Sequence, residues 1–522
     1  MISFFQQDLT SLQTVFLMTG SLFIAISLYF HLSNKSKLSL MFLIVGSLAI
    51  FIFAALLDPF LNLWDERFHA LVAKNLMNNP FKPMLYADPV MDIPYDRWDR
   101  AHIWLNKQPF FLWPAAAFFK IFGVSEFTLR IPSAIAGSIL VLLAYRAGKL
   151  FISEGTGYYA AFLIATAFYM VEIISGRQEL EHNDIAFLVW VSASIWAWLE
   201  YIRSGKQRWI VLIGIFSGVA ILVKWLVGLL VYLGWAVYIV FSRGRGRKEI
   251  QRFIISALLA IAIAFSWYLF IILKYPGEAI STLSLYTAHF TKPLDGHIGN
   301  FWFHLNNISL LYGSAVPFII IPACWILYRR VTPKSLSISL IFMILVVYLF
   351  FSLAKTKMPS LPWVVSLPIY LALGCLIDFS ISAFSTIKSP RFFISGGIFV
   401  LIMFIGYSNL KIPTVITLHT NEQRRNDLLT NLQHNKAVFL DLSERLPANS
   451  VVFNVKGRHY VECMFYSGLP AYSLIPTENQ IVELIAAGRR VAIFPKHGEQ
   501  LPRYLTSNKE VTIIPYYLRG WE

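Results

Sequence analysis

The sequence predicts a polytopic α-helical membrane protein of about 12–13 transmembrane helices, with a small α/β domain at its C-terminal end. Three observations carry that prediction. Hydrophobic residues make up 57% of the 522 and charged residues only 14%, with a mean hydropathy of +0.60, whereas a soluble domain carries about a quarter charged residues. Apolar runs of spanning or near-spanning length recur over the first 410 residues. Beyond residue 411 those runs give way to a polar helical stretch and short β-rich runs.

The apolar runs lie at about 12–31, 40–57, 131–148, 157–175, 183–202, 208–223, 225–242, 253–273, 305–328, 336–353, 361–379 and 392–410. The first lacks the basic flank and small-residue cleavage site of a signal peptide and is expected to stay as a span. The run from Phe110 to Phe122 is too short to cross and contains Pro114, so it reads as an interfacial or re-entrant helix. Cys324, Cys375 and Cys463 are scattered without metal-ligand spacing and read as packing residues.

Lysine and arginine set the orientation. Lys35 and Lys37, Arg146 and Lys149, Arg203 to Arg208, Arg243 to Arg252, Arg329 to Lys334, and Lys388 with Arg391 fall in alternate connections. Placing them all in the cytoplasm satisfies the positive-inside rule. The net charge of +15 is spent in these clusters rather than on a continuous basic surface, which argues against a nucleic-acid partner. The 58–130, 274–304 and 354–360 loops then face outward, with everything after residue 411. The 58–130 loop has eight Lys/Arg and eight Asp/Glu, a balance that does not oppose export. The expected topology is a membrane crossed many times, with the groups capable of chemistry and the C-terminal domain on the extracytoplasmic side.

The outward segments hold the groups capable of chemistry. Asp65 and Glu66 follow directly on an apolar run, where carboxylates are costly and are seldom kept without a use. Arg67, Lys107, Asp184, Lys224, His289, Lys292, Lys355 and Lys357 lie on the same side. A carboxylate there can act as general base toward an acceptor hydroxyl, and lysines at that depth can bind a phosphate and stabilise its leaving charge. These parts suit sugar transfer from a lipid-linked phosphosugar, and no glycine-rich nucleotide cradle is present. Each residue also has an ordinary reading. Asp184 opens an apolar run and serves equally as functional acid or helix N-cap. Lys355 and Lys357 serve equally as donor-phosphate ligands or as anchors of a span at the interface.

From about residue 411 to 522 an outward α/β domain is expected, with a helix over 421–446, strands at 451–453, 491–494 and 511–514, and helices over 457–467 and 478–488.

The chain resembles bacterial GT-C glycosyltransferases, in the branch of protein O-mannosyltransferases and lipid A aminoarabinose transferases. The matching pieces run in order. Trp64-Asp65-Glu66-Arg67 follows the leading spans, and Leu105-Asn106-Lys107-Gln108-Pro109 leads into an apolar helix. Phe122-Gly123, Glu126, Arg130-Ile131-Pro132-Ser133 and Gly137 come next, then Asp184 and Leu222-Val223-Lys224-Trp225. Phe351 to Pro359 with Leu361-Pro362 closes the series, over about residues 40–410. The resemblance implies a GT-C fold and an inverting transfer from a polyprenyl (undecaprenyl) phosphosugar to lipid A, another glycan or a protein. It implies that Asp65 is the general base with Glu66 assisting or positioning, that Lys107 binds the donor phosphate, and that Asp184 completes an acidic cluster. A divalent metal ion held by Asp65 and Asp184 belongs to the same expectation, as does Lys292 as a basic phosphate ligand. Two departures bear on sugar or acceptor identity. Ser360-Leu361 stands where relatives have His-Tyr, and Lys224-Trp225-Leu226 where they have Lys-Gly-Pro.

Two other classes fit parts of the pattern, a flippase or transporter of lipid-linked sugars and a catalytically inactive envelope scaffold. A transport path usually places ionisable residues near the membrane midplane, where this chain has almost none.

Overall fold

A computed structural model describes residues 9–177, 181–242, 246–294, 296–384, 391–420, 423–496, 498 and 500–520. Asp295, residues 178–180 and the side chains of Glu181 and His182 lie outside the described residues, as do Arg243, Arg245 and Lys388.

The helical series begins with α1 (Ser11–Leu32) and α2 (Ser36–Ala55), packed on each other as a hairpin. A reciprocal cap starts α1, with Thr10 accepting from the Gln13 N–H and Gln13 accepting from the Thr10 N–H. The first long loop carries α3 (Asp65–Leu76) and α4 (Leu112–Phe122). The eleven residues of α4 extend about 16 Å, too short to cross a bilayer. Next come α5 (Glu126–Phe151), α6 (Glu154–Ala165), α7 (Phe168–Ile174), α8 (Glu181–Ser204), α9 (Arg208–Lys224), α10 (Leu230–Phe241), α11 (Arg247–Lys274) and α12 (Pro276–Thr291). The remainder of this part is α13 (Phe303–Asn306), α14 (Ile308–Tyr312), α15 (Val316–Arg330), α16 (Lys334–Leu353), α17 (Ser366–Phe384) and α18 (Arg391–Leu410).

Among the described residues, eight helices are long and apolar enough to cross a membrane, or ten if each of two bent pairs is one span. The pairs are α6 with α7, bent by 45°, and the 303–312 segment with α15, bent by 85°. The expected runs at 208–223 and 225–242 form helices of 17 and 12 residues, the second preceded by a 3-10 turn over Leu226–Leu229. About 12 residues rise only about 18 Å, so α10 by itself is short for a bilayer.

Burial separates the centre from the perimeter. The spanning window in Asn183–Ser204 is 78% buried, whereas those of α1 and α11 are each 28% buried. The perimeter helices turn Leu22, Ile255, Leu258, Phe318, Ile321 and Phe404 outward, which hydrocarbon tolerates and water does not. In the centre α5 crosses α6 with backbones touching, and a Cβ at Gly157 would lie 2.3 Å from the Tyr145 carbonyl oxygen. Gly157→Ala is therefore expected to cost about 1–3 kcal/mol, measured as a lower unfolding midpoint in detergent.

The chain leaves the bundle through α19 (Ile412–Thr420) and α20 (Gln423–Arg445) into a three-stranded parallel sheet, β1 (Ser450–Phe453), β2 (Arg490–Ile493) and β3 (Val511–Ile513), in the order β1-β2-β3. The crossovers contain α21 (His459–Ser467) and α22 (Glu478–Ala486), and α23 (Arg503–Thr506) precedes β3. Every expected element of this domain is present, shifted by a residue or two at its ends. β1 and the last three residues of β2 are buried and mostly apolar, as parallel strands covered on both faces require, whereas β3 at the edge exposes Thr512 and Ile513. α21 packs on α3, so the C-terminal domain sits directly on the loop that carries Asp65.

Candidate active site

The first wall of the site is built where α3 begins. Trp64 has φ +67° and ψ −129°, a backbone region that costs an L residue about 1–3 kcal/mol. It turns the chain so that Asp65 opens the helix, where unpaired N–H groups favour an anion. Lys107 Nζ stands 3.1 Å from Asp65 Oδ2. Tyr286 of α12 donates to the Asn106 carbonyl at 2.6 Å and so fixes the turn that carries Lys107. Burial pushes the Asp65 carboxyl up, but the Lys107 ammonium, with His69 and Lys224 behind it, outweighs burial and holds it below the ordinary carboxylate range. Asp65 is therefore ionised at neutral pH and free to accept a proton.

The second wall comes from α8 and α9. Asp184 is buried and ion-paired with Lys224, the last residue of α9. Trp225 follows at φ +72° and ψ −164°. Each ion pair is thus flanked by a tryptophan in a strained backbone, a pattern that concentrates at functional sites. Both pairs line one open cavity of about 200 Å³. Its wall also includes Trp98, Gln108, Tyr286, His289, Thr356 and Trp363. His289 and Thr356 lie 3.3 Å apart, Nδ1 to Oγ1. Arg458, from the loop after β1, stacks 5.2 Å from the ring centres of both Trp64 and Trp98, so the C-terminal domain braces the cavity wall.

Glu66 does not line this cavity. It is fully buried and accepts from Arg130 Nε at 2.7 Å, from Arg130 Nη2 at 3.0 Å and from the Asn62 N–H at 2.6 Å. Arg130 also donates to the carbonyls of Asp58 at 2.5 Å and Phe60 at 2.8 Å. Gly176, at φ +82°, closes over the pair, and a Cβ there would lie 2.3 Å from Glu66 Oε1. Of the roles expected for Glu66, this geometry suits positioning: it fixes the segment that presents Asp65.

The expected lysines divide. Lys107 and Lys224 line the cavity; Lys292, Lys355 and Lys357 do not. Lys292 and Lys355 are exposed. Lys357 is buried and donates to the carbonyls of Phe351 at 2.8 Å and Ser352 at 2.6 Å, so it satisfies free C-terminal carbonyls of the preceding helix, α16. Arg67 turns away from the cavity, donating to the Gly457 carbonyl at 3.5 Å and pairing with Glu462 at 3.6 Å across the domain interface. The donor set does not suit a divalent cation. Asp65 and Asp184 each already hold a lysine, and no group of three metal-ligating side chains comes together among the described residues.

Sequence reasoning did not single out Trp64, Trp98, Asn183, Tyr286, Trp225, Ser360 or Trp363 as wall residues, although several stood within the motifs. An apolar or amide residue near a span carries no periodic signal that separates a cavity wall from a packed core.

In solved structures this arrangement of apolar helices and C-terminal α/β domain has counterparts. ArnT from Cupriavidus metallidurans, bound to undecaprenyl phosphate, superposes with a TM-score of 0.60 at 14% identity, over 91% of this chain and 89% of that one. The archaeal oligosaccharyltransferase AglB from Archaeoglobus fulgidus, in complex with an inhibitory peptide and a dolichol-phosphate, gives 0.55 at 13% identity over 83% and 64%. The chain has the GT-C fold. In sequence, residues 106–270 of this GT-C chain match the family described as dolichyl-phosphate-mannose-protein mannosyltransferase. The undecaprenyl phosphate-alpha-4-amino-4-deoxy-L-arabinose arabinosyl transferase 2 of Pseudomonas fluorescens is 27% identical over 286 residues, 51% of this chain and 46% of that one. The chain spans about half the length of the curated relatives it matches. It thus resembles the aminoarabinose transferase and protein mannosyltransferase branch of GT-C proteins.

Proposed function

We propose that the chain is an inverting glycosyltransferase that moves a sugar from a polyprenyl phosphate to a hydroxyl of an envelope acceptor. One observation carries this reading: an ionised carboxylate, Asp65, opens a helix on the wall of an open cavity, 3.1 Å from a lysine and beside a second acid–lysine pair. The resemblance to proteins named for undecaprenyl-phosphate and dolichyl-phosphate sugar transfer supports it.

In the proposed step Asp65 takes the proton of the acceptor hydroxyl. The acceptor oxygen attacks the anomeric carbon from the face opposite the phosphate. The bond from that carbon to the phosphate oxygen breaks, its electron pair leaves with the polyprenyl phosphate, and the configuration inverts. Lys107 and Lys224 stabilise the charge gathering on the leaving phosphate. An ammonium has three N–H donors, so Lys107 can keep Asp65 as one partner and offer the others to phosphate. In this reading the reaction takes place on the extracytoplasmic face of a bacterial inner membrane; the lysine and arginine pattern of the connections supports that side. Lipid A, another envelope glycan and a protein are the acceptor classes.

Lys107→Gln is expected to raise the KM for the donor about tenfold, the value of a charge-assisted hydrogen bond. It also has a pH signature. In the wild type the acid limb of kcat/KM is expected below the ordinary carboxylate range, because the Lys107 ammonium holds Asp65 low. Removing the ammonium that holds Asp65 low moves that acid limb to higher pH. An unchanged limb would assign the base to another group.

The test of the whole reading is release of polyprenyl phosphate. The protein in detergent with bilayer lipids is incubated with a panel of polyprenyl phosphosugars and an envelope acceptor fraction. Acceptor-dependent release establishes the transferase. Donor binding without release by any pairing would favour carriage of lipid-linked sugars across the membrane.

A further inference from the structure

One corner of the cavity, between the start of α8 and the 3-10 turn Leu361–Val365, holds hydrogen-bonding groups that the protein does not use. Asn183 is fully buried and lines the cavity, yet neither its Oδ1 nor its Nδ2 has a hydrogen-bond partner among the described residues. Trp363, 2% exposed in the same wall, has an Nε1–H in the same condition. Ser360 and Asp184 line the same wall, and the Oδ2 of Asp184 also lacks a hydrogen-bond partner among the described residues. A buried amide with neither end paired is expensive, because it has lost its water without replacement. Two such groups facing one cavity beside the candidate acid are explained if a ligand completes them.

We propose that Asn183 and Trp363 form the donor-sugar subsite of the cavity, and that the part of the sugar they take is neutral and hydroxyl-bearing. This rests on the transferase reading and deepens it. The chemistry of the free groups selects the ligand. Together they offer N–H donors from Nδ2 and Nε1 and one carbonyl acceptor. A hydroxyl both donates and accepts, so adjacent sugar hydroxyls satisfy all of them. An ammonium only donates; it would pair with Asn183 Oδ1 and the open Asp184 Oδ2 but leave the N–H donors of Nδ2 and Nε1 facing another donor. A carboxylate only accepts and would leave Oδ1 unpaired. The cavity's two acids are each neutralised by a lysine, so no spare negative charge awaits a cationic sugar.

The subsite is tested on the full-length protein in detergent and lipid, by thermal unfolding with three ligands. These are polyprenyl phosphate, a polyprenyl phosphohexose, and a polyprenyl phosphosugar with an amino group in place of a ring hydroxyl. The wild type is expected to gain a larger rise in Tm from the phosphohexose than from polyprenyl phosphate. The amino sugar is expected to give no more than polyprenyl phosphate does. Asn183→Leu replaces an unpaired amide with an apolar side chain of similar size. Its ligand-free Tm is expected at or above the wild-type value, with the polyprenyl phosphate shift kept and the extra shift from the hexose lost. Trp363→Phe keeps a ring and removes only the N–H, and part of the sugar increment is expected to disappear. The KM for the phosphohexose is expected to rise about tenfold in Asn183→Leu, with kcat changed less.

A full sugar increment in Asn183→Leu overturns the proposal. So does a fall in its ligand-free Tm, which would show the amide paired within the fold. A larger increment from the amino sugar than from the hexose overturns the neutral-sugar assignment. If the increment is present and lost as expected, but no donor is turned over, the subsite stands and the transferase reading falls.

Discussion

Asp65→Asn is expected to lower kcat by about 10²–10⁴-fold, the usual contribution of a positioned general base, while the protein still folds and binds donor. The substitution keeps the shape and the place at the start of α3 but removes the group that accepts the proton. Two measurements separate this from a structural effect. The unfolding midpoint is expected to move little, since the strained turn at Trp64 and the packing of α3 are untouched. The Tm shift caused by polyprenyl phosphate is expected to persist, because Lys107 loses its carboxylate partner and becomes more available to phosphate. A variant that still releases polyprenyl phosphate at near the wild-type rate would remove Asp65 from the chemistry. Asp184, buried and paired with Lys224 across the cavity, would then be the carboxylate to replace.

Arg130→Met is expected to destabilise the protein by about 3–5 kcal/mol, the cost of leaving one partner of a buried ion pair uncompensated. Glu66 would lose two charge-assisted hydrogen bonds in a site with no solvent access. Glu66→Leu is expected to be comparably harmful, because it strands the guanidinium instead. The double variant Glu66→Leu/Arg130→Met tests what the pair is for. An isolated buried ion pair can often be exchanged for apolar residues at little cost. Here the same guanidinium also serves the Asp58 and Phe60 carbonyls, so the double variant is expected to recover only part of the loss. Full recovery of the unfolding midpoint would show that those carbonyls find other donors. Activity is expected to stay low even where folding recovers, since the 55–66 segment that presents Asp65 has lost its clamp.

The way Lys107 and Lys357 part company shows why some of the site was legible and some was not. Both are lysines in connections between apolar helices, each with a neighbouring motif. Lys107 meets Asp65, whereas Lys357 folds back onto the last turn of α16 and spends its donors on Phe351 and Ser352. A lysine has four rotatable carbons, and the partner of its head group is decided by what packs around the stem. Sequence spacing does not contain that information. Glu66 is similar, since its partner Arg130 stands 64 residues away and reaches it only because α5 packs against α2.

By itself, the sequence determined the membrane class, the order of the spans, the α/β character of residues 411–522 and the candidacy of Asp65, Lys107, Asp184 and Lys224. The reason is energetic: long apolar runs have few alternatives to a bilayer, and ionisable groups at their ends are too costly to be incidental. Only the tertiary structure decided which acid meets which lysine, which of the expected lysines face the cavity, and that Asn183 and Trp363 are left with unpaired groups there. Those outcomes depend on contacts between segments far apart in the chain, and on the strained turns at Trp64 and Trp225 that no local pattern announces.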